Sequence, residues 1–249
     1  MTNNVVSASR SALASAVDRE RLGQLHPALR PEPVAIHPDY AEEKAAELAL
    51  ELRDAGLLDR DGRPTAELVD WLIPLCRPSK DYVAYCGLDD GTAATVVSAI
   101  AGSMGVVAVA HGDDIHFREI GQFALLDELF AELPELRPAQ GDLVTVNLER
   151  ARQERASVLA GPPNRTMKWL RGINRLDARR TIDITMHTYT DGHRRRFRAP
   201  LGIKMTDKGD FFSCLVGTGR DKELWAGPAA APYLHKAVGA LRSDLVLAE

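Results

Sequence analysis

The chain has 249 residues, 45% hydrophobic and 27% charged, enough apolar material for one large domain with a buried core and not the composition of a disordered segment. Its formal charge of -4 gives no overall attraction to nucleic acid or to an anionic membrane, so any basic partner site must be local. Cys76, Cys86 and Cys214 cannot all pair, and none stands in a Cys-x-x-Cys spacing suited to zinc or redox chemistry, which points to reduced, buried thiols and a cytosolic location.

Residues 1–16 are polar at intervals throughout and lack the unbroken apolar run of a secretory signal. The pattern over 11–25 is weakly helical, and Pro27, Pro31, Pro33 and Pro38 then impose an extended connection, because each lacks an N–H and restricts its predecessor. A helix is predicted over 40–55: Ala45, Leu48, Leu52 and Ala55 recur at three- and four-residue spacing, while Glu42, Glu43, Glu47 and Glu51 turn to water. Gly56 closes it. The run Asp59-Arg60-Asp61-Gly62-Arg63-Pro64 is a polar turn; as a calcium loop, with Gly at the sixth position, it would need Leu57 as first ligand. Thr65 opens a second helix lined by Leu68, Leu72 and Leu75 and ending before Pro78.

Beyond Pro78 the period becomes extended, with strands predicted at 82–88, 93–101, 106–111 and 115–120. Asp89-Asp90-Gly91, Gly102-Ser103-Met104-Gly105 and His111-Gly112-Asp113-Asp114 separate them as tight turns, which makes an antiparallel meander. The apolar stretch 93–110 is broken by Ser98, Gly102, Ser103 and Gly105, short of the roughly 18 apolar residues of a membrane span. Helices follow at 123–133, 148–159 and 166–176. A second strand series follows at 181–189, 194–205, 210–217 and 223–226, punctuated by Asp191-Gly192, Asp207-Lys208-Gly209 and Gly219-Arg220-Asp221, and a helix covers 230–247. The two halves, 1–121 and 122–249, share this grammar, so a distant duplication within a single domain is expected. The fold class is α+β: a large antiparallel sheet from two four-stranded meanders, with flanking helices.

The stretch from Ala45 to Pro64 resembles the EspG family, as do Trp71-Leu72-Ile73-Pro74-Leu75-Cys76-Arg77-Pro78, Asp191-Gly192-His193-Arg194 and Trp225-Ala226-Gly227-Pro228 before the terminal helix. The resemblance spans about residues 40–249 and implies pseudo-twofold halves and a cytosolic chaperone without cofactor. It also implies a partner: a helical substrate of type VII (ESX) secretion, either a PE/PPE heterodimer or a WXG-type protein, kept soluble until the secretion machinery takes it. The first thirty residues or so read as lacking the opening strand and tryptophan-bearing helix that the resemblance leads one to expect.

Alternation locates a candidate surface. Over 194–205, Phe197, Ala199, Leu201, Ile203 and Met205 read as inward, and Arg194, Arg196, Arg198 and Lys204 as outward. In the preceding strand Ile182, Ile184 and Met186 read as inward, leaving Asp183, Thr185, His187 and Tyr189 outward. With Trp225 as a candidate anchor, the partner-binding set is Asp183, Thr185, His187, Tyr189, Arg196, Arg198 and Trp225; an ordinary solvated sheet face is the alternative. The arginine run 194–198 argues poorly for nucleic acid, since Arg195 reads onto the apolar face and acidic residues Asp177, Asp183 and Asp191 balance it. His111, Asp113, Asp114 and His116 surround a hairpin tip that sends alternate side chains to different faces, which suits a turn better than a metal. No nucleophile elbow, phosphate loop or dinucleotide fingerprint occurs, so neither an enzyme nor membrane insertion is expected; an unfamiliar hydrolase or transferase is the alternative.

Overall fold

The computed structural model describes residues 5–33, 37–87, 91–156, 165–190 and 193–247. Asp89-Asp90, Asp191-Gly192 and the end of the helix predicted to 159 lie outside the described residues. The chain forms two compact units, Met1–Ala84 with Ala93–Glu132 and Thr188–Gly192, and Tyr85–Thr92 with Leu133–His187 and His193–Glu249.

The first unit contains β1 (Val6–Ser9), α1 (Arg10–Arg19), α2 (Ala41–Asp54), α3 (Ala66–Cys76), most of β2 (Lys80–Gly87), β3 (Ala93–Ala101), β4 (Met104–His111), β5 (Asp114–Ile120) and α4 (Leu125–Ala131). Its strands lie in the order β1-β5-β4-β3-β2. The register sets Val97 opposite Ala108, Ala99 opposite Val106, and Ala108 opposite Phe117. Those side chains share one face and one core with Leu13, Val17, Leu68, Leu72 and Leu75 of α1 and α3, where the Trp71 ring meets Phe117 edge-on at 5.7 Å. On the opposite face α4 lies against β3 and β4, fastened by Arg118, whose guanidinium reaches Glu128 and Glu132 at 2.7 Å each.

Local chemistry explains why these elements start and stop where they do. Asp59 Oδ1 accepts the N–H groups of Asp61 and Arg63, each at 2.9 Å, which closes the polar turn as expected. Thr65 Oγ1 accepts from Leu68 N and caps α3. Ser9 caps α1, accepting from Ala12 N, while its own N–H and hydroxyl donate to Glu51. Glu51, expected to face water, therefore ties α2 to the start of α1. Buried His26 and Asp81 lie 3.7 Å apart.

The second unit contains β6 (Val144–Asn147), α5 (Leu148–Ala156), α6 (Arg165–Arg175), most of β7 (Arg180–Thr190), β8 (His193–Arg196), β9 (Leu201–Thr206), β10 (Gly209–Val216), β11 (Glu223–Pro228), α7 (Ala231–Arg242) and β12 (Val246–Leu247). Its main order is β7-β9-β10-β11-β6. Strands β2 and β7 each contribute residues to both units. Tyr189 N–H, at the end of β7, donates to Ser79 O within the first unit, and Gly87, at the end of β2, lies beside Thr181 within the second. The fold is α+β and rests on a large antiparallel sheet.

The structure corrects the sequence reading at four places. An opening strand is present: β1 pairs with β5 from Val6 opposite Phe117 to Ser9 opposite Asp114, and β6 takes the equivalent edge position beside β11 in the second unit. Both run only four residues, too short for alternation to stand out. The expected strand 194–205 is two strands, because Pro200 has no N–H for a ladder and the chain turns aside between Arg196 and Leu201. The expected terminal helix stops at Arg242; Asp244 then accepts the N–H of Gly217, and Val246 and Leu247 pair with Arg196 and Arg195 as β12.

Asp210 organises the β9–β10 hairpin. Completely buried, its carboxylate accepts from Arg137 N and Thr206 N, and its backbone carbonyl accepts from Ala139 and Ala229. Gly209 precedes it with φ +101°, and a Cβ there would come within 2.6 Å of Ala139 Cα. We expect Asp210→Ala to cost about 2–4 kcal/mol by leaving buried N–H groups without partners. Arg118→Ala, which strands the carboxylates of Glu128 in α4 and of Glu132 just beyond it, should cost about 1–3 kcal/mol, both read from urea unfolding midpoints.

Candidate partner-binding surface

In the second unit, antiparallel register divides the side chains between two faces. Ile182 lies opposite Ile203, Ile203 opposite Phe212, and Cys214 opposite Trp225. This face is apolar and sits beneath α7, whose Leu234, Ala237, Val238 and Leu241 are buried. Trp225 belongs to it: the indole N–H donates to Glu223 Oε2 at 2.9 Å, and Lys236 of α7 stands over the ring at 5.8 Å.

The other face runs from Asp183 to Gly202, Ser213 and Ala226. Asp183 is exposed and Thr185 half-exposed. A Cβ at residue 202 would come within 3.4 Å of Asp183 Oδ1, so glycine leaves the carboxylate its space. Tyr85 shares this face, being two residues from Gly87, whose missing Cβ points at Thr181 Oγ1, and it is 50% exposed. Sequence reasoning missed Tyr85 because its neighbours Val83, Ala84 and Cys86 are all apolar and give no polar alternation.

Helix α6 covers the β9–β10–β11 part of this face without closing it. Trp169 meets Phe211 edge-on at 6.0 Å, and Lys204 Nζ donates to the carbonyls of Ile173 and Asn174, both at 3.3 Å. Between helix and sheet runs a cleft of about 380 Å³, walled mainly by Met167, Leu170, Ile173, Phe211, Leu224 and Ala226, with Arg171 also lining it. No residue of α6 is fully buried, although one side of the helix is wholly apolar.

The remaining expected residues are spread further. His187 is buried, 8% exposed, rather than outward. Tyr189 is exposed but belongs to the first unit. Arg196 is exposed on β8, flanked by β12 at Val246, and Arg198 is exposed in the break after β8. Arg195, expected on the apolar face, is exposed, while Phe197 is buried with its N–H donating to Met186 O at 3.2 Å. At the hairpin tip around His111 and Asp114, His116 Nδ1 and Ser7 Oγ are 2.5 Å apart, and Arg10 binds the Asp113 and Gly112 carbonyls.

Burial pushes the Cys76 and Cys86 thiols up to about 11 and the Cys214 thiol up to about 12, with Arg77 partly opposing the shift at Cys76. At neutral pH all three are thiols, not thiolates.

A two-unit α+β scaffold with an exposed, partly apolar sheet face and a loosely seated helix over it has the features of a protein-binding scaffold. The sequence pattern of the EspG family matches residues 9–239, and the chain belongs to that family. The solved structure of the Mycobacterium tuberculosis type VII secretion system chaperone EspG5, in complex with a PE25-PPE41 dimer, is similar in fold: the TM-score is 0.69 at 16% identity, over 99% of this chain and 98% of that chain. No curated protein sequence matches.

The thiols supply a test of the folded core. Their folded-state values lie above the ordinary 9.0, so below pH 9 they are protonated whether folded or unfolded. As pH rises from 9 toward 11 the unfolded chain ionises first, and stability falls. The urea midpoint should drop across that window, and a thiolate-directed reagent should meet about a hundredfold less thiolate in the folded than in the unfolded protein.

Proposed function

We propose that this chain is a cytosolic chaperone of type VII secretion that captures a PE/PPE heterodimer stoichiometrically and holds it soluble before export, with no turnover. Family membership supports the chaperone role, and the fold shared with a chaperone solved with a PE25-PPE41 dimer supports the substrate class. The observation that carries the binding surface is the open face of the second unit, where Asp183, Thr185 and Tyr85 adjoin an apolar cleft that α6 leaves uncovered. A helical substrate with an exposed apolar end aggregates unless another surface covers it. A stable complex needs about 800 Å² of each partner, a size that a sheet face with an adjoining cleft can offer.

Asp183 and Thr185 are the central contacts in this proposal, and Arg196 and Arg198 form a polar rim. Tyr189 belongs to the first unit and is left out of this surface. His187 acts from within by packing, and Trp225 holds β11 against α7 so that Leu224 and Ala226 are presented to the cleft.

Co-expression with candidate PE/PPE pairs tests the proposal. The expected result is a substrate that is insoluble alone and co-purifies with this chain at fixed stoichiometry. Asp183→Arg combined with Thr185→Arg should lower recovery of the complex at least about tenfold, because an interface centre tolerates an unpaired charge poorly. Arg196→Glu combined with Arg198→Glu should weaken capture less, as rim charges do. Substrates that stay soluble without this chain and ignore it would contradict the reading; undiminished capture by the Asp183/Thr185 variant would move the surface elsewhere.

A further inference from the structure

Helix α6 has a second side that substrate capture does not use. Arg165, Lys168, Arg171 and Arg175 are all exposed, whereas Met167, Trp169, Leu170 and Ile173 are partly buried. At 3.6 residues per turn the four cations fall within about a third of the helix circumference, directly opposite the apolar side. The helix Arg165–Arg175 contains no acidic residue. Among the described residues none of the four cations has an ion pair or a side-chain hydrogen bond. Such pairs occur elsewhere in the chain, as at Arg118 and Arg179.

The orientation of the stripe is fixed. Trp169 against Phe211 anchors the middle of α6, and Lys204 holds the carbonyls of Ile173 and Asn174 near its end, so Arg165, Lys168 and Arg175 are turned away from the sheet, while Arg171 also lines the cleft. Arg152, exposed on α5, adds a fifth positive charge, and the cleft that Arg150 and Ala151 share with Thr166 and Met167 places α5 alongside α6.

We propose that this cationic side is a docking surface for an anionic lipid bilayer, on which the protein rests peripherally. Four or more Lys and Arg on one side of an amphipathic helix match the surface charge of anionic lipids, each multiplying the partition coefficient about fivefold. The apolar side is already engaged with the chain's own sheet and no described helix is long and apolar enough to cross a membrane, so contact is electrostatic and superficial. With a formal charge of -4 the whole molecule is repelled by such a surface. The attraction is therefore confined to this patch, acts within a screening length of about 8 Å at physiological salt, and orients the molecule with α6 downward. The single aromatic ring of α6 meets Phe211 instead of standing among the cations, which offers no stacking platform for a nucleic acid.

Vesicle co-sedimentation of the full chain tests this. Vesicles of two parts phosphatidylcholine to one part phosphatidylglycerol should pellet the protein at low salt and release it at high salt, while phosphatidylcholine vesicles should not pellet it. The combined variant R165Q/K168Q/R175Q, in which glutamine keeps the helix propensity, should bind the mixed vesicles about a hundredfold less tightly. Its circular dichroism and its capture of a PE/PPE pair should match the parent, which separates loss of lipid binding from failure of the fold or of the chaperone reading. The single reversal Lys168→Glu, a smaller perturbation, should give an intermediate loss. Failure of the parent to bind the mixed vesicles at low salt, or binding unaffected by the three substitutions, would overturn the proposal. So would binding of a single-stranded oligonucleotide or an acidic protein through the same cations while the vesicles are ignored.

Discussion

Antiparallel register is the constraint on which the second unit depends. Once Asp183 stands opposite Gly202, every side chain from β7 to β11 is assigned to one face or the other, since a slip of one residue would send Ile182, Ile203 and Phe212 to the solvent. The apolar side chains are thereby gathered under α7. The complementary face receives Asp183, Thr185 and Ser213, which are exposed or half-exposed, and Ala226, which is buried where α6 covers the sheet. Turn chemistry maintains the register: Gly209 takes a left-handed φ, and Asp210 uses its buried carboxylate to bind the adjacent loop.

The two units solve the same topological problem with different helical cover. In each, a short opening strand occupies the edge beside the last strand of the meander, β1 beside β5 and β6 beside β11. In the first unit α1 and α3 bury Leu13, Leu68, Trp71, Leu72 and Leu75 against the sheet, whereas no residue of α6 is fully buried. Unequal cover of like sheets leaves the second unit with surface to spare. Helix α6 thus faces two environments, its apolar side lining a cleft and its cations pointing to solvent.

Much of this was legible in the sequence, and the failures have physical causes. The helices α2 and α3, the turn at Asp59–Pro64 and the strands β3, β4, β5 and β10 follow from strong periodicity and from turn residues with defined hydrogen-bonding roles. Edge strands β1 and β6 and the terminal pair Val246–Leu247 were not legible, because two to four residues carry no measurable alternation and their pairing is set by distant chain. Alternation placed Asp183 and Thr185 correctly on an accessible face. It misplaced His187, which tertiary packing buries, and it could not tell that Trp225, one residue from Ala226, projects to the opposite side under α7. Tyr85 escaped for the converse reason, an exposed aromatic hidden in an apolar run.

The central claim is that capture occurs on the face carrying Asp183 and not on the face beneath α7. Hydrogen–deuterium exchange of the free chain and of its complex with a PE/PPE pair tests it most directly. The account predicts slowed exchange in α6 and at the ends of β2 and β7 around Tyr85 and Asp183, with α7 and α2 unchanged. Protection confined to α7, or to α1 and α2, with none at α6 and Asp183, would contradict it.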